Sequence, residues 1–442
     1  MALKIYNTLT RKKETFKPIK KGEVKIYVCG PTVSGVPHLG HARQQITFDT
    51  LRRVLLYSKY KVKFVSNITD IEDKIINKAN ELGRDIKEFS DENEKLHKED
   101  YEKLGIMKPD VQPHATEYVK EMIELIKKLE KKDFTYVIKN DGVYYDVSKF
   151  KEYGKLSHQK TEDLMAGARI EAKEQKRNKE DFVLWKFSKP GEPQWDSPWG
   201  KGRPGWHIEC SAMSESILGL PLDIHGGGQD LIFPHHEDEI AQSEAAFGKK
   251  FSNYWVHNGL VNVEKVKMSK SLGNFKTIRD LFKDYKPEVI KYFVLSTHYR
   301  KPIDFSKNSL DDVKNSYERI KNIISEIKDD GKTNKKYVLE FKKVINDDLN
   351  MPQALAIFWE LLRDKKAEGK INTIKEMDKI FGLNLLEKEK EVIPKEIIQL
   401  AEEREEARKN KDWGKSDKLR VKIKEIGYEI KDMPSGFVLS KI

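Results

Sequence analysis

With 442 residues, 38% of them hydrophobic and seven of them tryptophan, the chain is too long for one compact core and too apolar for wholesale disorder; roughly two to four domains are expected. Its formal charge of +11 and its pI near 9.1 suit a nucleic-acid partner. No run of 18 apolar residues occurs and residues 1–20 lack an apolar core, so neither a membrane span nor a signal peptide is expected, and the predicted location is the cytoplasm, with no membrane partner.

Residues 24–29 (VKIYVC) predict a buried strand ending on Cys29, one of only two cysteines. Two thiols cannot build a disulfide framework, and in a reducing compartment they are expected to be free or metal-bound. Residues 43–59 predict an amphipathic helix with Phe48, Leu51, Val54 and Leu55 on its apolar face, and 61–68 (KVKFVSNI) a second strand. Such a β-α-β unit implies a parallel pair. Ligands of parallel sheets sit beyond the carboxyl ends of the strands, where Cys29 and Thr69–Asp70 fall. From about 112 to 200 the pattern changes to a helix, a hairpin over 134–148 (FTYVIKNDGVYYDVS) and a charged stretch around Lys173–Asp181, read as an insertion into the sheet domain. Residues 221–229 (PLDIHGGGQ) return to a strand that breaks on three glycines, where the backbone can approach a ligand or simply turn. Pro234 is predicted to open a helix in its first turn, and 253–263 (NYWVHNGLVNV) to form another strand. Beyond 306, Leu310, Val313, Tyr317, Ile320, Ile324 and Ile327 recur at helical steps of three and four. Helices over Tyr337–Leu349 and Pro352–Leu362 follow, as in a bundle whose apolar stripes are core packing. The chain closes with charged helices near 395–411 and 413–426 and a short, glycine-bounded tail.

Within FPHHEDEI (233–240), His235 and Glu239 lie four apart on one helix face. Cys29 and Cys210 could complete a set of two thiolates, one imidazole and one carboxylate, which suits Zn²⁺ better than Mg²⁺ or Ca²⁺. The residues alone also fit two cysteines packed as small apolar groups and a surface His235–Glu239 pair, because none of the spacings is that of a short zinc finger. A second constellation is HLGH (38–41) followed by KMSKS (267–271). Histidines around a glycine at a helix start can donate to phosphate oxygens. Two lysines three apart in a small serine-containing loop can offset charge on departing pyrophosphate.

HLGH and KMSKS together resemble the two signatures of class I aminoacyl-tRNA synthetases. Over nearly its full length the chain is similar to the cysteinyl-tRNA synthetases of that class, through VCGPTV (28–33), NITDIEDKI (67–75), DFVLWKFSKPGEPQWDSPWGKGRPGWHIECSAM (181–213), DIHGGGQDLIFPHHEDEIAQSEAA (223–246) and KMSKSLGNF (267–275). The resemblance implies an α/β fold: a Rossmann-like parallel-sheet catalytic domain with an insertion, then a C-terminal helical bundle and a small anticodon-binding domain. The expected divisions are 1–111 and 201–262 for the catalytic halves, 112–200 for the insertion, 263–306 for the KMSKS-bearing connection, 307–390 for the bundle and 391–442 for the anticodon-binding domain.

The same resemblance implies one Zn²⁺ per chain on Cys29, Cys210, His235 and Glu239, taking the thiolate of substrate L-cysteine. A soft ion separates cysteine from serine where a pocket judging size cannot. It implies ATP with Mg²⁺ at His38, Gly40, His41, Asp230, Lys267, Ser269 and Lys270, with His38, His41, Lys267 and Lys270 catalytic. It further implies a cysteine pocket of Cys29, Gly30, Thr69, Trp206 and His225. By motif, Arg408, Trp413, Asp417 and Asp432 would face the anticodon of tRNA(Cys), Trp413 by stacking unless it merely anchors a small core. The protein is expected to be a monomer. Rival readings are a ligase that attaches cysteine to an amino sugar, which would lack the tail 393–442, and a non-catalytic zinc-containing RNA-binding protein, in which the signature lysines would be free to disappear. One departure stands out: after Pro31-Thr32-Val33 the family usually has tyrosine, whereas this chain has Ser34-Gly35, which predicts a looser loop between Cys29 and His38.

Overall fold

The structure, a computed structural model, describes residues 2–158, 175–264, 266–267, 276–387, 394–433 and 436–441. The chain forms two compact units, residues 1–385 and 386–442.

The centre of the first unit is a four-stranded, all-parallel sheet in the order Ser252–Asn258, Leu222–Gly228, Glu23–Val28, Lys61–Ser66. The expected β-α-β unit is there: helix Leu39–Tyr57 crosses from Glu23–Val28 to Lys61–Ser66. The helix begins four residues earlier than the apolar stripe predicts, because His38 caps it. Strands buried on both faces read as near-continuous apolar runs, and Val24, Ile26, Tyr27 and Val28 are all buried. The chain enters the Leu222–Gly228 strand on the other side of Glu23–Val28. A crevice therefore opens between those two strands at their carboxyl ends, where strand order reverses.

The predicted 134–148 hairpin pairs Thr135–Ile138 with Gly142–Tyr145. Phe182–Phe187 and Gly202–Pro204 extend it to a four-stranded antiparallel sheet. Trp185 of this sheet and Trp255 of the central one are buried, and truncating either to alanine would cost about 3–5 kcal/mol. Lys173 of the charged stretch lies outside the described residues.

Three predictions need correcting. The strand over 253–263 is two strands, Ser252–Asn258 and Val261–Val263. Between them Gly259 lies so close to the chain at Lys301 that a Cβ would sit 2.5 Å from its carbonyl oxygen. Regular helix begins at Glu237, three residues after Pro234. The residue before a proline is driven out of the helical region, and Phe233 is extended at φ −137°, ψ 135°. The glycine-bounded tail is an antiparallel hairpin, Tyr428–Met433 with Gly436–Lys441. It closes a small core of Ile397, Ala401, Ile423, Ile430 and Leu439 with helices Lys395–Lys409 and Trp413–Glu425. The predicted bundle helices appear as Lys307–Glu326, Lys335–Ile345 and Met351–Arg363, joined by a fourth, Lys370–Phe381. Leu310, Tyr317, Ile320 and Ile324 of the first are buried, as their spacing requires.

Helix Ile86–Lys103 contributes a buried carboxylate. Asp100 is fully buried, 3.2 Å from Nε of Arg279, whose Nη2 donates to Glu99 at 2.6 Å. Burial pushes the Asp100 carboxyl up to about 6 despite the guanidinium. The folded state then keeps a proton that the unfolded chain releases near pH 4, so this group's contribution to stability falls as pH rises from about 4 to 6. Asp100→Asn is expected to be more stable than the parent by about 1–2 kcal/mol at pH 7.5 and by less at pH 5. Urea melts at the two pH values check this, and an equal difference at both would rule it out.

Candidate active site

Four residues carry their chemistry into the crevice. Cys29 follows the Glu23–Val28 strand, Cys210 lies on helix Trp206–Leu218, His235 precedes helix Glu237–Phe247, and Glu239 sits in that helix's first turn. All four are buried. Sγ of Cys29 is 3.5 Å from Sγ of Cys210, 3.5 Å from Nε2 of His235 and 3.2 Å from Oε1 of Glu239. Nε2 of His235 is 2.8 Å from that same oxygen. Donor separations of a tetrahedral shell with zinc-like bond lengths are roughly 3.3–3.8 Å, so these side chains could hold a metal ion. The burial of His235 and Glu239 overturns the reading of a surface pair.

The structure adds a second overlapping set that spacing did not suggest: Cys29, His225, His236 and Glu239. Nε2 of His225 is 2.7 Å from Oε2 of Glu239 and 3.5 Å from the Cys29 sulfur. The ring nitrogens facing away are held in turn. His235 Nδ1 meets His207 Nδ1 at 3.0 Å, and His236 Nδ1 meets His257 Nε2 at 2.8 Å. Outer partners of this kind fix the orientation of ligating imidazoles. Burial alone would raise Glu239, but His225, His235 and His236 hold it well below the usual carboxylate range. Against burial, Glu239 and Cys210 push His235 up to about 10. Burial lifts the Cys29 thiol, whereas the Cys29 and His235 hydrogen bonds bring Cys210 down against burial. His207, His236, Asn67 and Glu209 were missed in the sequence; only the doubled histidine of FPHHE hinted at His236.

The predicted pocket residues surround this cluster. Gly30 N–H donates to Asn67 Oδ1 at 2.8 Å, and Asn67 reaches Thr69 Oγ1 at 3.2 Å. The Thr69 hydroxyl donates to Glu209 Oε2 at 2.8 Å, so this buried threonine has its hydroxyl already engaged. Trp206 stacks on His235 with ring centres 4.3 Å apart. Trp206, His235 and the exposed Asp230 line a cavity of about 400 Å³, with Lys74, Lys186 and Arg203 at its wall.

His38 and His41 stand at the start of helix Leu39–Tyr57 with rings stacked 3.8 Å apart. Gly40 N–H donates to His38 Nδ1 at 3.0 Å and His38 N–H to His41 Nδ1 at 3.2 Å. Both rings are thereby fixed at the positive end of a helix, where anions bind. Lys267 ends the strand Val266–Lys267, and the chain returns beside His38, with Leu39 N–H donating to Lys276 O and Ile278 N–H to Pro37 O, both at 3.1 Å. Ser269 and Lys270 lie outside the described residues. The loop between Cys29 and His38 receives a contact from outside it: His97 lies 3.0 Å from the Gly35 carbonyl and its ring 5.1 Å from that of His41. In the second unit Arg408 lies 3.1 Å from Asp432 and 5.8 Å from the Trp413 ring centre. Trp413 is 56% exposed and no core anchor, while Asp417 is exposed on its own helix.

Residues 15–315 match the family of tRNA synthetases class I (C) catalytic domain. The chain is 46% identical to the cysteine–tRNA ligase of Thermococcus gammatolerans and 44% identical to that of Caldicellulosiruptor saccharolyticus, in each case over all of both chains. Its fold is that of the Mycobacterium tuberculosis methionyl-tRNA synthetase solved with methionyl-adenylate, at 16% identity and a TM-score of 0.58 over 82% of this chain and 88% of that one. With two buried thiols, an imidazole and a carboxylate at the switch point of such a sheet, the chain belongs to the class I aminoacyl-tRNA synthetases, in the family of the cysteine–tRNA ligases.

Proposed function

We propose that this chain joins L-cysteine to tRNA(Cys) in two steps. The cysteine carboxylate attacks the α-phosphorus of ATP in line, forming cysteinyl-adenylate and releasing pyrophosphate. A hydroxyl of the tRNA's terminal adenosine, the 2′-OH by class, then takes the cysteinyl group and AMP leaves. The observation that carries this reading is the convergence of Cys29, Cys210, His235 and Glu239, with His235, Trp206 and Asp230 on the wall of a cavity of about 400 Å³ that can take an amino acid.

Two thiols with one imidazole and one carboxylate suit Zn²⁺, which when bound supplies a soft acceptor that prefers a thiolate to an alcohol. The remaining work belongs to the chain. Trp206 walls the amino-acid side against His235, and the Gly30–Asn67–Thr69–Glu209 network ties the chain just after Cys29 to the helix that carries Cys210. His38 and His41, locked by their own helix cap, present a positive edge to the ATP phosphates, which arrive with Mg²⁺. Lys267 and Lys270 offset charge on the leaving pyrophosphate. No protein nucleophile is needed, because positioning and electrostatics lower the barrier. Trp413 offers an exposed stacking face for an anticodon base. The protein works as a cytoplasmic monomer.

The test is cysteine-dependent ATP–pyrophosphate exchange together with charging of a tRNA(Cys) transcript. Exchange without charging would favour the amino-sugar ligase, and absence of both the RNA-binding reading. Trp413→Ala is expected to raise the KM for tRNA roughly tenfold, as loss of one stacked base implies, and to leave exchange unchanged. An unchanged KM would remove Trp413 from the RNA interface.

A further inference from the structure

Within residues 386–442, one buried charge has no part in the reading above. Arg404 is 2% exposed. It continues the stripe Ile397–Ala401 of helix Lys395–Lys409, three residues past the alanine and four before Arg408, so all four share one helix face. A guanidinium there is costly unless it is paired. Its partner is Asp432 on the strand Tyr428–Met433: Nη1 donates to Oδ1 at 2.6 Å and Nη2 to Oδ2 at 3.1 Å. The same Oδ2 lies 3.1 Å from Arg408 Nη1. Asp432 therefore has both oxygens engaged by guanidinium groups, and Arg404 foremost holds it below the usual carboxylate range. Two cations against one anion leave a net positive charge beside the exposed indole of Trp413.

An exposed Arg408–Asp432 pair on its own would be worth at most about 1 kcal/mol and would sample many rotamers. The buried fork changes that by holding the carboxylate in one orientation. We propose that Arg404 is a positioning residue for RNA recognition: it locks Asp432 so that Arg408 stands preset beside Trp413, where an unpaired base stacks on the indole and meets guanidinium donors. Preorganisation of this kind increases affinity by removing the entropy of ordering two long side chains on binding.

This inference rests on the reading of the chain as a tRNA ligase, and the experiment separates the two. Full-chain parent, Arg404→Lys, Arg404→Met and Asp432→Asn proteins, with the double variant Arg404→Met/Asp432→Asn, are assayed for exchange and for charging of tRNA(Cys) and of a transcript with a changed anticodon. Both Arg404 variants are expected to raise the KM for tRNA(Cys) roughly tenfold, with kcat and exchange unchanged, and to lower the preference over the altered transcript by a similar factor. The double variant should be no worse than the worse single one, as coupled partners require. Lysine keeps the charge and the fold but not the fork, so it decides the matter if methionine unfolds the unit. A parent that charges tRNA(Cys) while Arg404→Lys keeps both KM and anticodon preference overturns the inference. A parent that charges no tRNA overturns the reading beneath it.

Discussion

Cys210→Ala is expected to lose the zinc proposed for this cluster and, with it, the selectivity of the adenylation step. Cys210 is buried, its sulfur 3.5 Å from Cys29 Sγ and 3.6 Å from Asn67 Oδ1. Alanine removes one of the four donors that would hold the ion, leaving two side-chain charges and one imidazole, too few to retain it. Loss of outer-sphere partners alone lowers metal affinity by about 10–100-fold, and loss of a direct ligand should exceed that. Elemental analysis of the purified protein should fall from about one zinc per chain to a small fraction. Discrimination between cysteine and serine should collapse to the roughly 10–200-fold that a pocket judging size can supply. Folding should survive, because the cavity left by one sulfur costs only about 1–2 kcal/mol. A variant that kept its zinc would move the ion to the set built on His225 and His236, and His236→Ala would then be the variant that loses it.

Gly30→Ala is expected to damage the same site through the backbone. A Cβ at Gly30 would lie 1.6 Å from the carbonyl oxygen of Asn67 and 2.6 Å from its carbonyl carbon, with no flexible side chain able to give way. The strand end must therefore move, and with it Cys29, the neighbouring residue. Overpacking against backbone costs about 3 kcal/mol or more, and the thermal midpoint should drop by several degrees. Zinc content should fall together with stability, unlike in Cys210→Ala, where it falls largely alone. A Gly30→Ala protein with the parental melting temperature and zinc content would show that Asn67 can retreat.

The Ser34-Gly35 loop carries a contact that the sequence did not show. The missing tyrosine was visible in the string of residues, but the approach of His97 was not. His97 comes from a helix about sixty positions further along, and nothing local links it to Gly35. Asn67 and Glu209 escaped notice for the same reason: each matters only through what it touches across the crevice. Arg404 had a signal, since it continues an apolar stripe at helical spacing, but a charged residue at such a position is indistinguishable from a solvated one until its partner strand is in place.

What this sequence determined by itself was local and chemical. Continuous and helical apolar patterns specified the β-α-β unit, the hairpin over 134–148 and the helical stripes beyond 306, because period and burial are coupled through backbone geometry. The residues alone named Cys29, Cys210, His235 and Glu239 as a set that suits zinc but left packed cysteines and a surface pair open, and the family resemblance chose between them. The tertiary structure alone decided that these four meet within bonding reach of one ion, that His225 and His236 stand on the other side of Glu239, and that Trp413 stays out of its core. The physical reason is distance along the chain. Cys29 and Cys210 are brought to 3.5 Å only when strand Leu222–Gly228 pairs with Glu23–Val28 and helix Trp206–Leu218 packs beside it, and no short-range preference encodes that pairing.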